Sequence, residues 1–141
     1  ISVLTVSKTK NSKFNIRLYG KNNNGEPENL IYDENIIGIA KKGKKVTEID
    51  VSELNIKFPE NGFFVAIEWL IIPNNKYESN DAKKQNKISY QPAIGTIPTA
   101  TNENSWTIKQ GEWKKSSGNI GLTELLDKKY NLIAVELTLK N

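Results

Sequence analysis

Glu68 is the residue best placed to do chemistry. It sits in the segment Phe63 to Ile72, which is apolar at nearly every other position. An ionised carboxylate in such surroundings needs a counter-charge. Arg17, the sole arginine among 20 basic residues, is the candidate partner, because a planar guanidinium matches a carboxylate bidentately. Arg17 alternates with Phe14, Ile16 and Leu18, so a strand there puts Arg17 and Tyr19 on the face away from the core. The pair reads first as an ion pair specified by the fold, then as a ligand-binding carboxylate, and last as a catalytic acid. Glycoside hydrolysis needs a second carboxylate at a set separation. Glu48 and Glu136 lie on strand-like segments, and nothing in the spacing selects either.

Aromatic rings are the second group with chemical potential: Trp69, Trp106 and Trp113, with Tyr19, Tyr77 and Tyr90. Trp106 and Trp113 flank Gln110-Gly111 and could form one sugar-stacking surface on a hairpin. Trp69, between Val65, Ile67 and Ile71, reads as core. Asp33, Glu34, Asp50 and the Asn22 to Glu26 turn offer oxygen ligands of the kind calcium uses. Their spacing fits no EF-hand, so they read as turn chemistry, and neither metal nor cofactor is expected. With no His and no Cys, imidazole- or thiolate-dependent nucleophilic catalysis, the usual zinc sites, Fe–S clusters and disulfides are all excluded.

The elements that must hold these residues are strands. In a chain of 141 residues, 37% hydrophobic and 26% charged, one ordinary core is expected. Periodicity is short and of period two: Lys13 to Tyr19, Lys45 to Val51 and Asn131 to Leu139 all alternate. Phe63 to Ile72 reads as a central strand covered on both faces. Asn74 to Lys87, including Lys83 and Lys84, reads as a long polar loop, and Leu122 to Asp127 as one helical turn. Phe14, Ile16, Leu18, Ile49, Val65, Ile67, Trp69, Val135 and Leu137 form the expected core. The expected architecture is an antiparallel two-sheet β-sandwich, jelly-roll-like, with an up-and-down barrel as the alternative.

Net charge is +4, but the basic residues apart from Arg17 are lysines in turn-rich sequence, so nucleic acid is not an expected partner. No stretch has the length of a transmembrane helix. The absence of Met reads as a chain derived from a longer precursor, with residues 1–141 forming a single domain of it.

Phe14-Asn-Ile-Arg-Leu-Tyr19, Asn24-Gly25-Glu26-Pro27, Ile49-Asp50-Val51-Ser52 and Pro59 to Trp69, with Tyr90 to Gly95 and Trp113, carry a family resemblance. Together they resemble β-sandwich modules of secreted and envelope proteins of Gram-negative bacteria, often found after a carboxypeptidase-regulatory-like domain. The resemblance spans about Phe14 to Leu139 and brings no catalytic residue with it. It implies a noncatalytic, extracytoplasmic accessory or interaction domain, in the periplasm, at the outer membrane or secreted. Its partners would be other domains or envelope proteins, or a glycan. The rival functions are a carbohydrate-binding module and a carboxylate-dependent glycoside hydrolase. Arg17, Tyr19, Glu68, Trp106 and Trp113 are the ligand-binding candidates.

Overall fold

The computed structural model describes residues 1–79, 87–118 and 130–139. The chain begins with β1 (Ser2–Ser7), β2 (Ser12–Lys21), β3 (Pro27–Ala40), β4 (Gly43–Glu48) and β5 (Phe63–Trp69). It continues with β6 (Lys76–Ser79), β7 (Lys87–Tyr90) and β8 (Ala93–Ile94). Next come β9 (Thr96–Thr99), β10 (Trp106–Lys109), β11 (Glu112–Lys115) and β12 (Tyr130–Ile133), and then β13 (Val135–Glu136). All pairings are antiparallel. The fold is an all-β sandwich, and no barrel closes among the described residues.

Two compact units divide the chain: Ile1–Ile94 together with the segment from Val135 onward, and Gly95–Ala134. The first contains both principal sheets. In one, β1 lies between β4 on one side and β8 and β13 on the other; in the other, β2 lies between β3 and β5. Period-two alternation sends Phe14, Ile16 and Leu18 inward from β2, where all three are fully buried with Val3 and Ala40, and Ile36 nearly so. Ile49, Val65, Ile67 and Val135 pack against this cluster partly buried, and Leu137 is half-buried. Gly38, opposite Phe14, lies under the aromatic ring, and a Cβ there would overlap it.

Two of the three inward residues of β1 are polar. Thr5 and Ser7 are buried beside Val3, and their hydroxyls are satisfied locally. Thr5 Oγ1 meets Thr47 Oγ1 at 3.0 Å, and Ser7 Oγ meets Ser12 Oγ at 2.6 Å. Hydroxyls that bond to each other can be buried at little cost.

Four expectations are corrected. Phe63 to Ile72 is not a central strand: among the described residues β5 lies at an edge and stops at Trp69, and the central strand is β2. Trp69 is not core, with 62% of it exposed; its indole N–H donates to Pro92 O at 2.8 Å. Asn74 to Lys87 is not wholly loop, since Lys76–Ser79 pairs with Lys87–Tyr90 as a hairpin. The final strand is broken at Ala134 into β12 and β13, which belong to different sheets. Lys83, Lys84 and the turn at Leu122 to Asp127 lie outside the described residues.

In the unit Gly95–Ala134, β9 pairs with β12, and β10 pairs with β11. The hairpin turn has positive φ at both Gln110 (54°) and Gly111 (81°), the geometry that matches strand twist in a two-residue loop. Ser105, almost buried, ties the two ladders together: its Oγ donates to Asn131 O at 3.0 Å, while its carbonyl accepts from Ser116 N at 2.8 Å.

Candidate functional site

The residues of β2 that do not face the core form a polar row: Asn15, Arg17 and Tyr19. Register places them opposite Glu68, Ala66 and Phe64 of β5. Arg17 Nε donates to Glu68 Oε2 at 3.1 Å, and Arg17 Nη1 to the Asp33 carbonyl at 3.3 Å. The expected ion pair therefore forms across neighbouring strands. It is half-open to solvent, with side-chain exposures of 22% for Arg17 and 48% for Glu68.

Asn15 is the organiser of this row, and sequence reading missed it. It is 1% exposed although it sits on the outward row. Its Nδ2 donates to Glu68 Oε2 at 2.8 Å and to Asn35 Oδ1 at 2.9 Å, and its Oδ1 accepts the Ile36 backbone N–H at 2.9 Å. That third bond sits where the register of β3 slips against β2 between Ile16 and Leu18. A β-bulge leaves ladder groups unpaired, and the Asn15 amide takes one of them up. The available signal was an amide inside an otherwise β-forming run.

Aliphatic side chains flank the network. Ile37 is opposite Asn15 and Ile39 opposite Lys13 on β3, and they are 40% and 50% exposed. Leu30, paired with Tyr19, is 40% exposed. Tyr19 itself is half-buried. Near the bulge, Tyr32 OH donates to Glu34 Oε2 at 3.4 Å. Desolvation first, and the Glu34 charge second, raise the Tyr32 phenol above its ordinary value of 10.0.

The other candidates sit on other elements. Glu48 and Glu136 both register with Ser2, in the other sheet. Trp106 and Trp113 lie on one face of their hairpin, since Trp106 registers with Lys115 and Ile108 with Trp113. Both rings are half-buried, and Lys115 Nζ stands 5.1 Å from the Trp106 ring centroid. Of the oxygens considered for calcium, those of Asn22 and Asp50 serve turns, whereas Asp33 and Glu34 lie within strand β3 and not in a turn as expected, with Glu34 accepting from Tyr32 OH. Asn22 Oδ1 accepts from the N–H groups of Asn24 and Glu26, both at 2.9 Å, and Asp50 Oδ1 accepts from Ser52 N at 3.0 Å. No cluster of three metal-ligating side chains occurs among the described residues. No helix among them is long and apolar enough to cross a membrane.

No family model matches the chain, and no curated protein or solved structure is detectably similar to it. The class defined by the structure is therefore architectural: an antiparallel β-sandwich carrying a polar network on the outer face of one sheet.

Proposed function

We propose that this protein is a noncatalytic interaction domain that works outside the cytoplasm, beside other domains or proteins of a bacterial envelope or secreted assembly. The observation that carries the reading is the outer face of the β3–β2–β5 sheet. There, the pre-bonded Arg17–Glu68–Asn15–Asn35 network lies among exposed Ile37, Ile39 and Leu30. Exposed aliphatics around fixed polar groups have the make-up of a protein-binding surface: apolar area supplies the drive, and the rigid polar groups set orientation. The envelope setting rests on the resemblance of the Phe14 to Tyr19 and Pro59 to Trp69 segments to Gram-negative sandwich modules.

The test is fractionation of cells expressing the protein, with Ile37→Asp/Ile39→Lys as the variant and backbone amide exchange of the purified domain as the fold control. The expected result is co-fractionation of the wild type with the envelope or medium and loss of retention by the folded variant. Cytoplasmic wild type, or a variant retained equally, overturns the proposal.

A carbohydrate-binding role is the second reading, favoured by the two tryptophans sharing one hairpin face. Titration with oligosaccharides, followed by tryptophan fluorescence, should then show a saturable change that Trp113→Ala removes.

A further inference from the structure

Among the described residues the two principal sheets have four edges, and three of them are defended. β4 presents Lys44 and Lys45, both exposed. The opposite edge of that sheet is built from two two-residue strands, β8 and β13, with Gly95–Ala134 inserted between them. β3 begins at Pro27, carries Glu28, Asp33 and Glu34, and slips register against β2 in three places. Short strands, lysines, prolines, charges and bulges are the devices by which proteins stop sheet edges from pairing with other chains.

The fourth edge has only one of them, a single charge. β5 reads Phe-Phe-Val-Ala-Ile-Glu-Trp, runs in unbroken register, and among the described residues pairs with β2 alone. Its one charge, Glu68, is already paired to Arg17 on the neighbouring strand.

We infer that the open edge of β5 is a homodimerisation site, at which a second copy of this chain pairs antiparallel about Ala66 to make one continuous six-stranded sheet. The strand is self-complementary in this register. Phe63 meets the partner's Trp69, Val65 meets the partner's Ile67, and Ala66 meets the partner's Ala66. The ring of Trp69, 62% exposed in the single chain, gains an aromatic neighbour. The two Glu68 carboxylates lie at opposite ends of the paired segment, each opposite Phe64 of the partner subunit, so no like charges face each other.

Backbone polarity fits the same register. Lys13 directs its N–H and C=O toward the β5 side of β2, where the Asn75 amide bonds both, at 2.8 and 2.7 Å. Alternation then turns the backbone groups of Asn15, Arg17 and Tyr19 the same way, toward Glu68, Ala66 and Phe64. Phe63, Val65, Ile67 and Trp69 are left with theirs directed at the open edge. Ala66 and the partner's Ala66 therefore form a non-hydrogen-bonded pair, with Cα atoms about 4.5 Å apart. That distance suits a disulfide.

This inference concerns the edge of the sheet and is independent of what binds its outer face. The chain has no Cys, so Ala66→Cys introduces a single reporter thiol. Sedimentation of the wild type should show a dimer. Ala66→Cys should form a disulfide-linked dimer on mild oxidation, while Glu112→Cys on the exposed hairpin should not. Ala66→Lys and Ala66→Glu should each sediment as monomers with unchanged circular dichroism, and an equimolar mixture of the two should restore the dimer. A wild type that stays monomeric at every concentration overturns the inference. So does a dimer that Ala66→Cys fails to cross-link, because its contact then lies elsewhere. Should the charged variants not fold, the wild-type sedimentation and the Ala66→Cys result still decide.

Discussion

Asn75 shows how much one side chain can hold. It is fully buried, and its amide donates to Lys13 O at 2.7 Å and Leu70 O at 2.8 Å while accepting from Lys13 N at 2.8 Å. It thus extends the β2–β5 ladder one step beyond Trp69 with a side chain in place of a strand. Asn75→Ala should cost about 2–4 kcal/mol in denaturant melts, the penalty for backbone groups left without partners. Loss of less than about 0.5 kcal/mol would show that water replaces the amide. The Arg17–Glu68 pair should matter less. It is too exposed for a buried-pair penalty, so a double-mutant cycle with Arg17→Met and Glu68→Gln should give a coupling of about 1 kcal/mol or less. Tyr32 supplies a pH signature. Its raised folded pKa means its contribution to stability is complete below the ordinary pKa of 10.0 and is lost as pH rises through the folded value. An NMR titration should place Tyr32 ionisation above that of the unfolded chain and find it lowered in Glu34→Gln.

Among the elements, β2 is the one whose alternation was most legible, Asn15 alone being buried against it. Phe14, Ile16 and Leu18 are inward, and Arg17 and Tyr19 outward, as period two requires. The Trp hairpin was equally legible, because Gln110-Gly111 between β-formers specifies its own turn. Phe63 to Ile72 misled because a continuous apolar run says how much of a strand is covered but not which strand neighbours it. β3 depends on Gly38, where Phe14 occupies the space of a Cβ. Gly38→Ala should destabilise by about 1–3 kcal/mol, since the ring must move within a packed core. A melt unchanged from wild type would mean that the sheets separate there at no cost.

For the whole molecule, the register of β1 describes how the second unit is spliced in. Ile94 registers with Thr5 and Val135 with Val3. Gly95–Ala134 thus leaves and rejoins the sheet within the space of one residue opposite Leu4, and Ala134 N closes the gap by donating to Gly95 O at 2.8 Å. Replacing Gly95–Ala134 by a single glycine should leave a folded sandwich with dispersed amide signals and a cooperative melt. A collapsed spectrum would show that the inserted unit is needed for the core.

What the sequence determined by itself is the local part: the all-β class, the inward set on β2, the hairpin turn, and the outward placement of Arg17. These follow from side-chain alternation and turn stereochemistry, which act over a few neighbouring residues. Tertiary structure alone decided that β5 is an edge, that Trp69 is exposed, that Asn15 bridges a bulge, and that Asn75 completes a ladder from 62 residues away along the chain. Each of these depends on which distant backbone groups are left unpaired once the strands have chosen neighbours. Period-two alternation does not encode that choice.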